Sequence, residues 1–125
     1  MKVKDCMNPR AVAVGAFAPV AVAARVMARQ NVGMLPVRDA AGRLVGVVTD
    51  RDIAVRCVAA GQDAARLRVQ RVMSTRPLSV TPETDICAAA ALLAREQVRR
   101  LPVVENGRLC GMVSLADLAR SADHS

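Results

Sequence analysis

The chain repeats itself. Met7 and Met73, Arg10 and Arg76, Val14 and Val80, and Pro36 and Pro102 each stand 66 residues apart. The offset drops to 65 between Gly46 and Gly111, so one residue is lost in the turn before that glycine. Gly46-Val47-Val48-Thr49-Asp50-Arg51-Asp52 returns as Gly111-Met112-Val113-Ser114-Leu115-Ala116-Asp117. A repeat of this length is one supersecondary unit that cannot bury its apolar face alone. With 125 residues in all, each copy is of a size at which an isolated core is marginal. The copies are therefore expected to pack as one domain and to act in duplicate, in clefts between them.

Each copy reads strand, helix, strand, strand, helix. Short first strands are expected at Val12 to Val14 and at Leu78 to Val80. The helix that follows carries Val20, Ala24, Met27 and Asn31 in one copy and Ile86, Ala90, Leu93 and Gln97 in the other, an apolar stripe facing a sheet. Thr84 is the expected N-cap of the second-copy helix, and Pro19 the expected first helical residue of the other. Leu35-Pro36-Val37 and Leu101-Pro102-Val103 open the middle strands, where proline implies a strand start or an edge. The turns Asp39-Ala40-Ala41-Gly42 and Glu105-Asn106-Gly107 absorb the missing residue. The third strands, Leu44 to Val48 and Leu109 to Val113, are nearly all apolar and read as buried on both faces. The last helices begin after Thr49 and Ser114, and Gly61 is a C′ glycine. The division is residues 1–61, a linker at 62–70, and residues 71–125.

Composition narrows the functional classes. Apolar residues make up 53% of the chain, with Phe17 as the sole aromatic, which argues against binding single strands by stacked bases. The formal charge of +7 favours anionic partners. Arg66, Arg68, Arg71 and Arg76 fall in a stretch from Ala64 to Pro82 with no acidic residue. Cys6, Cys57, Cys87 and Cys110 lack paired spacing and read as buried apolar residues in a reducing compartment. His124 is the one histidine, so no metal site is expected. Lys2 and Lys4 ahead of the uncharged run Ala11 to Ala24 imitate a secretory signal. The run is too short to span a bilayer and aligns with Pro77 to Ala90 of the second copy. A cytoplasmic protein without membrane contact is expected.

Gly46-x-x-Thr49-x-x-Asp52, Gly111-x-x-Ser114-x-x-Asp117, the two Leu-Pro-Val strand starts and the pairing itself resemble the CBS domain, over Val3 to Arg120. Two such domains in tandem form the arrangement called a Bateman module. Thr49-Asp50-Arg51-Asp52-Ile53 and Val98-Arg99-Arg100-Leu101-Pro102-Val103 are similar to stretches of small free-standing bacterial CBS-pair proteins, stress- and hypoxia-response types included. The resemblance implies an α/β (α+β) fold of two β-α-β-β-α repeats packed with pseudo-two-fold symmetry. It also implies a homodimer, since family pairs associate two by two into a flat disc.

Thr49 and Ser114 stand where a strand meets a helix, and such a start offers free N–H groups and a favourable dipole to an anion. Asp52 and Asp117, three residues on, can accept hydrogen bonds from a ribose diol. The same spacing is a capping box, which needs no ligand. The family's sites hold adenosyl compounds: the aspartate binds ribose, the Ser/Thr helps with ribose or phosphate, and strand backbone reads adenine. That resemblance implies one site with Thr49, Asp52, Met34, Leu35 and Pro36, and another with Ser114, Asp117, Arg100, Leu101 and Pro102. Family sites also draw on the first strand of the opposite copy, here around Val12 and Val14 and around Leu78, Val80 and Thr81. Arg100 aligns with a phosphate-contacting basic residue of the family, so the second site suits a phosphorylated nucleotide. Met34 in its place suits the first site to an uncharged adenosyl group or to no ligand.

The leading expectation is a regulatory module that senses AMP, ATP, S-adenosylmethionine or a similar adenosyl ligand, requires no cofactor, and signals through a partner protein or its own assembly. Two alternatives are a ligand-free interaction scaffold and a polyanion or nucleic-acid binder working through the Arg-rich linker. Enzymatic activity is not expected, because no feature marks an activated cysteine or a catalytic carboxylate pair.

Overall fold

The computed structural model describes residues Met1–Asp123, and His124 lies outside the described residues. The chain forms two compact units, Val12–Pro77 and Met1–Ala11 with Leu78 onward. These units are not coextensive with the sequence repeats, because the leading eleven residues join the second copy.

In the Val12–Pro77 unit, β1 (Val14–Gly15) pairs parallel with β2 (Met34–Arg38), which pairs antiparallel with β3 (Leu44–Thr49). The helix α1 (Val20–Gln30) covers this sheet. Its buried residues are Val20, Ala23 and Met27, so Val20 and Met27 lie on the expected stripe while Ala23 takes the place of the exposed Ala24. Pro19 is the N-cap and not the first helical residue, and Asn31 ends the helix in the left-handed region at φ 53°. Pro19 has no side-chain oxygen for capping. The N–H groups of Val20 and Ala21 donate instead to the carbonyls of Leu67 and Ala64, at 2.8 and 2.9 Å. The 62–70 stretch is therefore no free linker: it caps α1 and sends Val69 into the core. After β3 the chain makes one helical turn, α2 (Asp50–Ile53), then a wider π turn at Ala54–Val58, and reaches Gly61 at φ 70°.

The other unit follows the same plan. The helix α3 (Ile86–Glu96) packs on the hairpin of β4 (Arg100–Glu105) and β5 (Arg108–Ser114), and α4 (Leu115–Asp123) follows. Asp85, not Thr84, is the N-cap, its carboxylate accepting from Cys87 N–H at 3.0 Å. Thr84 instead accepts the Thr81 N–H. The first strand of this copy is reduced to one parallel bridge between Val80 and Val103. Asn106 and Gly107, at φ 53° and 79°, close the hairpin with the tight turn that Asn-Gly favours. Both third strands bury alternate residues rather than both faces.

β2 is the central strand of its three-stranded sheet, whereas β4 is one of two strands and an edge, as expected, apart from the single bridge to Val80. Pro36 and Pro102 sit inside these strands and not at a start. The reason is the ladder. Val47 and Met112 turn their own N–H and C=O groups outward, exchanging two hydrogen bonds with Ser74 and with Asn8 respectively. Each therefore faces its proline as a non-hydrogen-bonded pair, and the missing proline donor disturbs no bond to the third strand.

That outward pairing explains the motif glycines. A Cβ on Gly46 would lie 2.7 Å from the Ser74 carbonyl oxygen, and one on Gly111 would lie 2.8 Å from that of Asn8. The space beside each glycine is filled by the chain's own backbone and by the Met73 or Met7 side chain. Gly46→Ala and Gly111→Ala are each expected to destabilise by about 1–3 kcal/mol through overpacking. Gly15→Ala, with nothing within 4 Å of its Cβ position, should unfold in urea close to wild type.

The leading segment is tied down by charge as well as by backbone. Val3 and Lys4 donate their N–H groups to the carbonyls of Thr84 and Pro82, and the Lys2 and Lys4 ammonium groups both reach Glu83. Hydrogen bonds from Lys2 and Lys4 hold the Glu83 carboxyl below its ordinary value of 4.5. A carboxyl depressed in the folded state stabilises above its unfolded pKa, and that contribution disappears as pH falls through the lower folded value. Amide protection of Val3 and Lys4 should therefore weaken on acidification through that window, and Glu83→Gln should remove that component of the pH dependence.

Candidate functional site

Two equivalent corners gather the residues singled out in the sequence. At the β3–α2 junction, Thr49 Oγ1 accepts from Asp52 N–H at 3.0 Å, and Asp52 Oδ2 accepts from Thr49 N–H at 3.0 Å. At the β5–α4 junction, Ser114 Oγ accepts from Asp117 N–H at 3.1 Å, and Asp117 Oδ2 accepts from Ser114 N–H at 2.9 Å. Both are complete capping boxes. The helix start is thus built without a ligand, and one oxygen of each aspartate is committed to it.

Register brings the strand starts to the same corners. Met34 lies opposite Thr49, and Arg100 lies opposite Ser114. The ladder alternates, and Pro36 and Pro102 occupy non-hydrogen-bonded pairs, so Met34 and Arg100 do too. Their backbone N–H and C=O groups turn away from the third strand, toward the side on which the first strand runs. In the Val12–Pro77 unit β1 pairs only with Val37 and Arg38 and does not reach Met34. In the other unit the single bridge at Val103 does not reach Arg100. Each corner therefore offers a strand-end amide and carbonyl, a hydroxyl opposite, and a carboxylate three residues beyond it. Leu35, Pro36, Leu101 and Pro102 are buried, which leaves only their backbone for such a role.

The first-strand residues divide by exposure. Val14 and Val80 are buried in the cores of their units, whereas Val12 and Leu78 are exposed. Thr81 lines an open groove of about 720 Å³ with Ser79, Thr84 and Arg95, and neither Ser114 nor Asp117 lines that groove.

The corners differ in charge. Asp117 Oδ1 is taken by Arg120 in an ion pair, while no hydrogen bond to Asp52 Oδ1 occurs among the described residues. The Asp50 carboxylate lies over Gly33, where a Cβ would meet Asp50 Oδ2 at 3.0 Å. In the second copy the acid becomes Leu115 and the glycine becomes the exposed Arg99. The crowding of Gly33 by Asp50 and the Arg120 contact were missed in the sequence. The i, i+3 spacing of Asp117 and Arg120 was the available signal for the latter.

Comparison with known proteins places the chain in a family. The CBS domain model matches twice, over residues 3–58 and 69–124. This protein belongs to the CBS domain family and is a CBS pair. The CBS domain-containing protein YhcV of Bacillus subtilis is 42% identical over 117 residues, 94% of this chain and 82% of that one. The crystal structure of Hypoxic Response Protein I with two coordinated zinc ions superposes with a TM-score of 0.87 at 32% identity, covering 96% of this chain and 98% of that one. CBSX2 in complex with AMP superposes with a TM-score of 0.84 at 31% identity, covering 98% and 96%. Among the described residues of this chain, no group of three or more His, Cys, Asp and Glu side chains could hold a metal ion. No helix among them is long and apolar enough to cross a membrane.

Thr49→Ala and Ser114→Ala remove one half of each capping box, and each is expected to cost about 0.5–2 kcal/mol. Thermal unfolding checks this, with Thr49→Ser and Ser114→Thr as variants that retain the hydroxyl and should recover most of the loss.

Proposed function

We propose that this protein is a non-catalytic regulatory sensor that binds adenosyl ligands of the AMP, ATP and S-adenosylmethionine class at the two corners built on Thr49 and Ser114. The observation that carries this reading is the register of Met34 with Thr49 and of Arg100 with Ser114. Adenine presents a donor and an acceptor along one edge, which a strand-end C=O and N–H can match. The ribose diol then falls to the aspartate that follows the hydroxyl, on Oδ1 of Asp52 and on the remaining lone pair of Asp117 Oδ1 beside Arg120. The AMP complex of CBSX2, a relative of the same fold, supports the ligand class.

The charge difference assigns preferences. Arg120 pairs with Asp117, and Arg100 stands across the ladder from Ser114, suiting that corner to a phosphorylated nucleotide such as AMP or ATP. The Asp50 carboxylate beside the Thr49 corner repels phosphate and favours an uncharged or cationic adenosyl group. The exposed Val12 and Leu78 supply apolar surface for the base. The protein works in the cytoplasm as a homodimer and reports occupancy to a partner protein, in a stress response of the kind that Hypoxic Response Protein I is named for.

Carboxylate-to-amide variants separate binding from folding, because asparagine keeps an oxygen that can accept the capping N–H. Asp52→Asn and Asp117→Asn are expected to lose about tenfold or more in affinity for the ligand of their own corner, the worth of a hydrogen bond to a charged group. Calorimetric titration with AMP, ATP and S-adenosylmethionine checks this. Unchanged affinities in both variants would refute the ribose assignment. With no Trp or Tyr in the chain, a 260 nm absorption band that survives dialysis and leaves on denaturation would report a carried nucleotide directly.

A further inference from the structure

The two units treat one equivalent surface in opposite ways. At the 66-residue offset, Glu83 corresponds to Phe17, Lys2 to Arg68, Lys4 to Gln70 and Asp5 to Arg71. Around Glu83 the charges balance: Lys2 and Lys4 meet its carboxylate, and Asp5 accepts the Lys2 backbone N–H. Around Phe17 no acid replaces Glu83. The Arg68 guanidinium lies over the ring instead, 5.4 Å from its centre.

The backbone holds this group together. Val69 N–H donates to Ala18 and Gln70 N–H donates to Ala16, so the segment carrying Phe17 runs alongside the segment carrying Arg68 and Arg71. Val69–Arg71 is a 3₁₀ turn, in which residues three apart eclipse. Val69 and Val72 are both fully buried, whereas Arg68 and Arg71, at the same spacing, are both exposed. Arg66 stands two residues before Arg68, its side chain 90% exposed, with only a long 3.8 Å contact to Asp63. Phe17, the sole aromatic of the chain, is 63% exposed.

A single exposed apolar residue is ordinary. An exposed ring with one arginine stacked on it and two more exposed arginines within three residues of that one, where the sister copy neutralises its lysines with an acid, is a surface of different character. Aromatic residues and arginine are the types enriched at the centres of protein–protein contacts. An arginine stacked on a ring still directs its planar N–H fork outward to a carboxylate. Single-stranded nucleic acid would require successive stacking platforms along a basic track, and this surface has one ring.

We propose that Phe17, Arg66, Arg68 and Arg71 form a docking surface for an acidic protein segment, whose carboxylates pair with the guanidinium groups while an apolar residue covers the ring. The surface shares no residue with the adenosyl corners and stands whether or not either corner fills. The probe is a fluorescein-labelled peptide of sequence Glu-Glu-Leu-Glu-Glu, followed by anisotropy at low ionic strength, with a labelled oligothymidylate as the competing class. Phe17→Glu, which installs the acid of the sister copy, and Arg68→Glu are each expected to weaken peptide binding roughly tenfold or more. Arg108→Glu, the same charge change on the other unit, should alter it less than about twofold, and urea midpoints of all three variants verify folding. Equal losses in Arg108→Glu would reduce the effect to net charge and overturn the proposal. Binding indifferent to Phe17 and Arg68, or absent altogether, would overturn it too. Tighter binding of oligothymidylate, lost with Phe17→Ala, would replace the acidic segment by nucleic acid.

Discussion

The backbone of Ser74 lies against Gly46, and that of Asn8 lies against Gly111, closer than any side chain at either glycine would allow. Each contact brings two hydrogen bonds with the adjacent third-strand residue, Val47 or Met112. Much else follows from these pairings. They turn the polar groups of Val47 and Met112 outward, which sets the phase of each ladder up to the register shift after Val37 or Val103. That phase makes a buried proline tolerable at positions 36 and 102. It also leaves the backbone of Met34 and Arg100 free at the strand ends, opposite the hydroxyls of Thr49 and Ser114. The motif glycine is therefore the residue that lets the chain complete its own sheet, and the open strand end beside the capping box is a consequence of that completion.

The two corners are copies in geometry and opposites in electrostatics. Both have a capping box that satisfies the start of the following helix, and in both the aspartate keeps a second oxygen for other work. One copy spends that oxygen on Arg120 and adds Arg100 across the ladder. The other lays an extra carboxylate over a glycine. Duplication supplied the scaffold, and a handful of charge substitutions separated the two halves. The same drift marks the surface around Phe17, where an acid in one copy became a ring in the other.

Features governed by local chemistry were legible in the sequence. The capping boxes, the Asn106-Gly107 turn, the Gly61 stop and the order of elements each depend on a few adjacent residues. The family resemblance rested on the same marks. What escaped was set by partners distant in the chain. Met7-Asn8 and Met73-Ser74 look alike, and nothing in either says which third strand it will join. Pro19 was misplaced by one residue because its helix is capped by the carbonyls of Ala64 and Leu67, a service that sequence assigns to no one. Thr84 lost the cap to Asp85 because its hydroxyl was already occupied by Thr81. Nothing local to Gly33 says that the Asp50 carboxylate lies over it.

The exchange of leading segments also bears on how such a chain could have arisen. Met7-Asn8 precedes the first copy yet joins the third strand of the second, and Met73-Ser74 precedes the second yet joins that of the first. A half-length ancestor with one copy would have found this strand only on another molecule, and two molecules trading strands form a closed, symmetric pair. Fusion of two such copies would replace a concentration-dependent encounter by a covalent tether. Once tethered, the halves would be free to diverge, since neither would any longer have to match an identical twin.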